Sequence, residues 1–126
     1  MKVLQVVEHA FRTIVEEQDD AILWLTQSMV GAGASLEVLL SGHCAYYAVQ
    51  QNRQPALALG DWRQTQPAEV PKDLSRLVEK GVPVYVIRED LEERGLSHLP
   101  VQPGVEVISR DALPVLYGQV DQVWQW

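Results

Sequence analysis

Cysteine, phenylalanine and histidine are scarce in this 126-residue chain, which has one, one and three of them. A lone Cys44 cannot form an internal disulfide, and it excludes a zinc site of the usual multi-cysteine kind. No apolar run approaches the roughly 20 residues that a membrane-spanning helix needs. The first residues, Met1–Val7, enter a strand-like segment without the basic region and cleavage site of a signal peptide. A cytoplasmic protein without a membrane partner is therefore expected. Basic residues are also few, 10 Lys and Arg against 17 Asp and Glu, for a net charge of −7. That balance opposes binding to a phosphate backbone, so nucleic acid is not an expected partner. No GxSxG elbow and no GxxxxGK[ST] loop is present, which removes α/β-hydrolase and P-loop chemistry. Gly31-Ala32-Gly33-Ala34 follows a helical pattern and precedes a strand. A dinucleotide fingerprint needs the reverse order, so these glycines read as a helix stop.

What remains, 47% hydrophobic residues over 126 positions, fits one domain spanning 1–126. Lys2–Val7, Leu36–Leu40, Pro83–Arg88, Val105–Ser109 and Asp121–Trp126 are short Val, Leu and Ile-rich runs, as in parallel strands covered on both faces. Asp19 and Asp20 can cap a helix carrying Ile22, Leu23, Leu25, Met29 and Val30 at helical spacing. Ala45–Gln51 and Pro71–Lys80 read as further helices, Asp90 and Glu93 have capping-box spacing for a short one that Gly95 ends, and a last helix covers Asp111–Tyr117. The alternation predicts an α/β fold, a three-layer α/β/α sandwich on a mostly parallel five-stranded sheet. Its ligand crevice would lie outside the carboxyl ends of the strands. The segment Gln54–Pro71, with three prolines, does not fit the alternation and reads as a functional loop, an interface arm or a disordered stretch.

Parallel strands would bring Glu8 and His9, His43 and Cys44, and Glu89 and Asp90 to one edge. Cys44 would stand in the first turn of a helix starting near His43, where unpaired N–H groups and an adjacent imidazolium favour a thiolate. The alternative is a buried cysteine acting as a small hydrophobe. His9, His43, Cys44 and a carboxylate offer zinc donors, but without HxxxH or CxxC spacing no metal is expected, and no cofactor is implied. Asp90 to Arg94 is dense in charge and could be mistaken for an acid/base pair, but a solvated, capped helical turn is the better reading. Asp61, Trp62 and Arg63 suit recognition of a small polar group or a partner chain, and otherwise form a surface loop anchored by Trp62. Tyr46, Tyr47, Trp62, Trp124 and Trp126 exceed what one small core readily buries, and a terminal strand is a sheet edge that needs cover. A homo-oligomer is therefore expected.

Val84-Tyr85-Val86-Ile87-Arg88-Glu89-Asp90-Leu91-Glu92-Glu93-Arg94-Gly95-Leu96 and the terminal Val120-Asp121-Gln122-Val123-Trp124-Gln125-Trp126 resemble the DsrE/DsrF/DsrH superfamily, which includes the TusB, TusC and TusD sulfur-relay subunits. Leu39-Leu40-Ser41-Gly42-His43-Cys44 stands where many members have a strand ending in Asp-Gly. The resemblance implies a five-stranded α/β/α domain, assembly into dimers, trimers or hexamers, and in relay members a cysteine persulfide passed between proteins. The chain departs from the sulfur-carrying branch, whose active cysteine follows the strand matching Val84–Arg88, where Leu91 and its neighbours stand here. The cysteine early in the first helix of some DsrH proteins is also missing. Two functions are thus expected as alternatives. One is a relay in which Cys44, assisted by His43 or His9, exchanges sulfane sulfur with donor and acceptor proteins. The other is a noncatalytic homo-oligomeric binding or scaffold module for a small ligand or protein partner. Whether the protein is an enzyme stays open at this point.

Overall fold

A computed structural model describes residues 1–12, 16–51 and 55–126. In chain order the elements are β1 (Lys2–Val7), α1 (Ala21–Gly31), β2 (Ser35–Leu40), a 3-10 helix (Gly42–Ala48), β3 (Ala58–Leu59) and β4 (Trp62–Arg63). After them come α2 (Val70–Glu79), β5 (Val84–Ile87), α3 (Arg88–Glu93), β6 (Val105–Ile108), a 3-10 turn (Arg110–Ala112), α4 (Leu113–Gly118) and β7 (Gln122–Gln125). Five strands form one parallel sheet in the order β6-β5-β2-β1-β7, and β3 pairs with β4 as a separate hairpin.

The two apolar clusters follow the pleat. Val38, Leu40, Val84 and Val86 point to the face covered by α1, the first 3-10 helix and α2, where Leu23, Tyr47, Leu74 and Leu77 are buried. Leu4, Val6, Leu39 and Ile87 point to the other face and pack on Leu116 and Leu113 of α4. The strands alternate between two buried faces, and so β1 and β2 lack polar spacing, as parallel strands do. No helix among the described residues is long and apolar enough to cross a membrane.

The expected boundaries of the sheet strands and of α2 hold to within one residue, and three local expectations need correction. The helix expected over Ala45–Gln51 is a 3-10 helix that begins at Gly42, because the Cys44 N–H already donates to the Ser41 carbonyl at 3.0 Å. Asp90 is not a helix cap: it is the third residue of α3, and its carboxylate is committed to other loops. The segment Gln54–Pro71 is not irregular throughout. Gln54 lies outside the described residues, while Ala58–Arg63 form the hairpin, turned at Gly60 (φ +60°) and Asp61 as in a type II′ turn with glycine first.

Polar links run through the interior. The Trp126 indole donates to the Gln5 carbonyl oxygen Oε1 (2.8 Å), the Gln5 amide donates to Thr26 Oγ1 (2.6 Å), and the Thr26 hydroxyl donates to the Ile22 carbonyl (2.8 Å). This chain fastens β7 to β1 and β1 to α1, and it satisfies a fully buried glutamine. Of the five aromatic residues expected to exceed the core, Tyr47 alone is buried; Tyr46, Trp124 and Trp126 are half-buried and Trp62 is exposed, so one core does not take them all.

Candidate functional site

Because all five strands run parallel, their carboxyl ends do gather Glu8 and His9, His43 and Cys44, and Glu89 and Asp90 at one edge. The first side chain to organise it is Asp90. Its carboxylate accepts from the Gly42 N–H (2.9 Å) and from Arg110 Nη2 (2.8 Å), and Arg94 Nη1 stands 3.9 Å away. Gly42 sits at φ +55°, a left-handed conformation that favours glycine, and its N–H is thereby aimed from the turn after β2 at Asp90. The Glu89 carboxylate accepts from the Arg110 N–H at 2.6 Å, and Arg110 also stands 3.6 Å from Glu93. Asp90, Glu89, Arg94 and Arg110 therefore clamp the loops after β2, β5 and β6. Charged groups committed to one another in this way stabilise the geometry of the loops.

His9 and His43 are exposed at this edge and do not join the clamp. Asp61, Trp62 and Arg63 lie on the separate hairpin, with no hydrogen bond or ion pair to the clamp among the described residues. No group of three or more His, Cys, Asp or Glu side chains among the described residues is placed to hold a metal ion.

Cys44 contradicts its expected environment. It is fully buried, packed in the larger core cluster, and its thiol is pushed up to about 12 by burial and by the Asp20 carboxylate, against a smaller opposing effect of Arg12. The reason is the earlier start of the 3-10 helix. Cys44 lies on its inward face beside Ala45 and Tyr47, and a thiolate there would lose hydration that the short helix does not replace.

Sequence reasoning missed a second polar group under the loop after β1. Asp20 and Asp73 are both fully buried. Asp20 Oδ1 caps α1 by accepting from the Ile22 and Leu23 N–H groups (2.9 and 3.1 Å), and Oδ2 accepts from the Tyr47 hydroxyl (3.0 Å). The same hydroxyl accepts from the Phe11 N–H, holding a residue at φ +59° whose ring stands edge-on to Tyr47 at 5.2 Å. The Asp20 N–H donates to Asp73 Oδ2 (2.9 Å). Burial and the neighbouring Asp19 push Asp73 up to about 8, while the Asp20 N–H and Arg76 act the other way. Only the cap at Asp20 had a sequence signal. The burial of Tyr47 and Asp73 depends on contacts between distant segments.

At the opposite, amino-terminal edge lies a cleft of about 370 Å³ lined by Lys2, Ser35, Glu37, Lys80 and Pro83. Glu37 is buried there and meets Lys2 at 3.4 Å and the Tyr85 hydroxyl at 3.3 Å, which fixes its carboxylate as part of the sheet.

No protein-family model matches the chain, and no curated protein matches it by sequence. Among solved structures it is similar to the ychN protein from E. coli, at 18% identity, covering 99% of this chain and 98% of that one with a TM-score of 0.74. This chain shares the fold of that protein. The likeness is one of fold: an α/β protein with a five-stranded, mostly parallel sheet and helices on both sides.

Proposed function

We propose that the protein is a noncatalytic, self-associating binding or scaffold module of the DsrE-like kind, working in the cytoplasm beside sulfur-relay partners and not carrying the persulfide itself. The observation that supports this reading is Cys44, fully buried with its thiol pushed up to about 12. A persulfide carrier needs a thiolate that a donor protein can reach, and attack on sulfane sulfur scales with the thiolate fraction. Beside it, the clamp of Asp90, Arg94 and Arg110 holds the loops of the strand edge in fixed relation, as a docking surface requires.

The test is mass spectrometry of the folded protein after incubation with polysulfide, paired with alkylation in buffer and in denaturant. The expected result is no added sulfur on Cys44 in the folded protein, and full alkylation only on unfolding. Stoichiometric persulfide on Cys44 in buffer would restore the relay reading and displace the scaffold one.

A further inference from the structure

Residues Pro55–Arg63 are all exposed, and they include Leu57 at 49%, Leu59 at 67% and Trp62 at 39%. The hairpin that carries them has two residue pairs, Ala58 with Arg63 and Leu59 with Trp62, and a two-stranded hairpin of that size is marginal unless another surface supports it. Its base is firmly held. Gln64 is buried, its N–H donates to the Leu57 carbonyl (2.8 Å), and its side-chain oxygen accepts from the Leu57 N–H (3.1 Å). The Glu16 carboxylate then accepts from the Thr65 and Gln66 N–H groups, at 3.0 and 2.6 Å. The body of the domain thus presents a braced arm whose apolar side chains it leaves uncovered.

We propose that the occupant of this arm is the same arm of a second copy, with the free edges of two β4 strands pairing antiparallel about a two-fold axis at Trp62. Antiparallel pairing centred on Trp62 sets the two indoles together and places Asp61 of each copy opposite Arg63 of the other. Asp61 and Arg63 have opposite charge and neither has a side-chain partner within its own chain among the described residues, so the edge is complementary to itself. Leu59 lies beside Trp62 across the hairpin, and the pairing continues the strip as Leu59, Trp62, Trp62, Leu59 over four strands. The contact is isologous and closed, so it makes a dimer and not a fibre. This deepens the reading of a self-associating module by naming its surface. A dimer that ignores substitution of Asp61 and Arg63 fails this surface alone, whereas persulfide on Cys44 fails that reading alone, so the two failures are distinguishable.

The test is sedimentation of four samples: the unmodified protein, Asp61→Arg, Arg63→Asp, and the two variants mixed in equal amounts. Each single variant sets like charges opposite each other twice and is expected to weaken dimerisation by tenfold or more. In the mixture, the two arginines on the arm of one variant meet the two aspartates on the arm of the other. Association should return. A fold defect cannot produce that recovery, because both variants are present in the mixture unchanged. Unmodified protein that stays monomeric at submillimolar concentration overturns the proposal. So does a mixture that remains monomeric, or a dimer insensitive to either substitution, which would put the interface elsewhere.

Discussion

Replacing Asp20 by alanine is expected to destabilise the fold by about 2–4 kcal/mol, the larger part of the loss coming from groups that Asp20 leaves behind. Loss of the α1 cap alone costs about 1 kcal/mol in typical proteins. The Tyr47 hydroxyl, buried with the rest of its residue, then has no acceptor, and an orphaned buried donor costs a further ~1–3 kcal/mol. Against the ~5–15 kcal/mol of a typical domain that is a large share. Asp20→Asn keeps the oxygen that caps Ile22 and Leu23 but puts an amide where Oδ2 accepts, so its cost should fall between alanine and native. Urea unfolding of the three proteins decides the order. The alanine variant should also speed alkylation of Cys44, since Asp20 holds Tyr47 and Tyr47 holds the Phe11 segment, and Asp20 itself raises the thiol. An alanine variant within about 0.5 kcal/mol of native would show that Tyr47 finds another acceptor.

The fold was more legible than the site, and for a physical reason. Strand runs such as Lys2–Val7 and Ser35–Leu40 are local in composition, and a parallel sheet needs only that they be apolar on both faces. The edge that gathers the strand ends follows from topology alone, which is why Glu8, Cys44 and Asp90 could be placed at one edge without coordinates. What cannot be read locally is depth. Cys44 and His43 are neighbours in sequence, yet one is buried and the other exposed, because a 3-10 helix starting at Gly42 turns them to different sides. Arg110 lies 20 positions from the Asp90 carboxylate it serves, and no spacing rule joins them. Arg94 sits one helical turn beyond Asp90 and was within reach of an i, i+4 argument. The Gly60-Asp61 pair between Leu59 and Trp62 was a hairpin signal hidden by the surrounding prolines.

Raising the pH from about 4 to about 8 is expected to destabilise the protein through Asp73, opposite to the usual behaviour of a carboxylate. Its side chain is fully buried, and Oδ1 has no hydrogen-bond donor, with Arg76 Nη1 at 3.9 Å. A proton on the Asp73 carboxyl turns it into a donor toward Asp19, which is why burial and Asp19 together hold the group up at about 8, against 3.8 for the ordinary carboxyl. Between those values the folded state binds more protons than the unfolded chain. Stability therefore falls as pH rises, on the order of 2–5 kcal/mol over the window, and is fully present below the unfolded value. Glu16 acts in the other direction and at lower pH. Burial pulls its pKa up, but the Thr65 and Gln66 hydrogen bonds hold it below the usual range, so its contribution fades as acid protonates it. A comparison with Asp73→Asn isolates Asp73, because asparagine can accept from the Asp20 N–H with its oxygen and donate from its amide toward Asp19 without a proton to lose. The variant should match or trail the native protein near pH 4 and exceed it at about pH 8 to 9, with a flatter profile throughout, measured by urea unfolding at each pH. Two parallel profiles would mean that Asp73 stays ionised in the fold, and that Arg76 compensates for its burial.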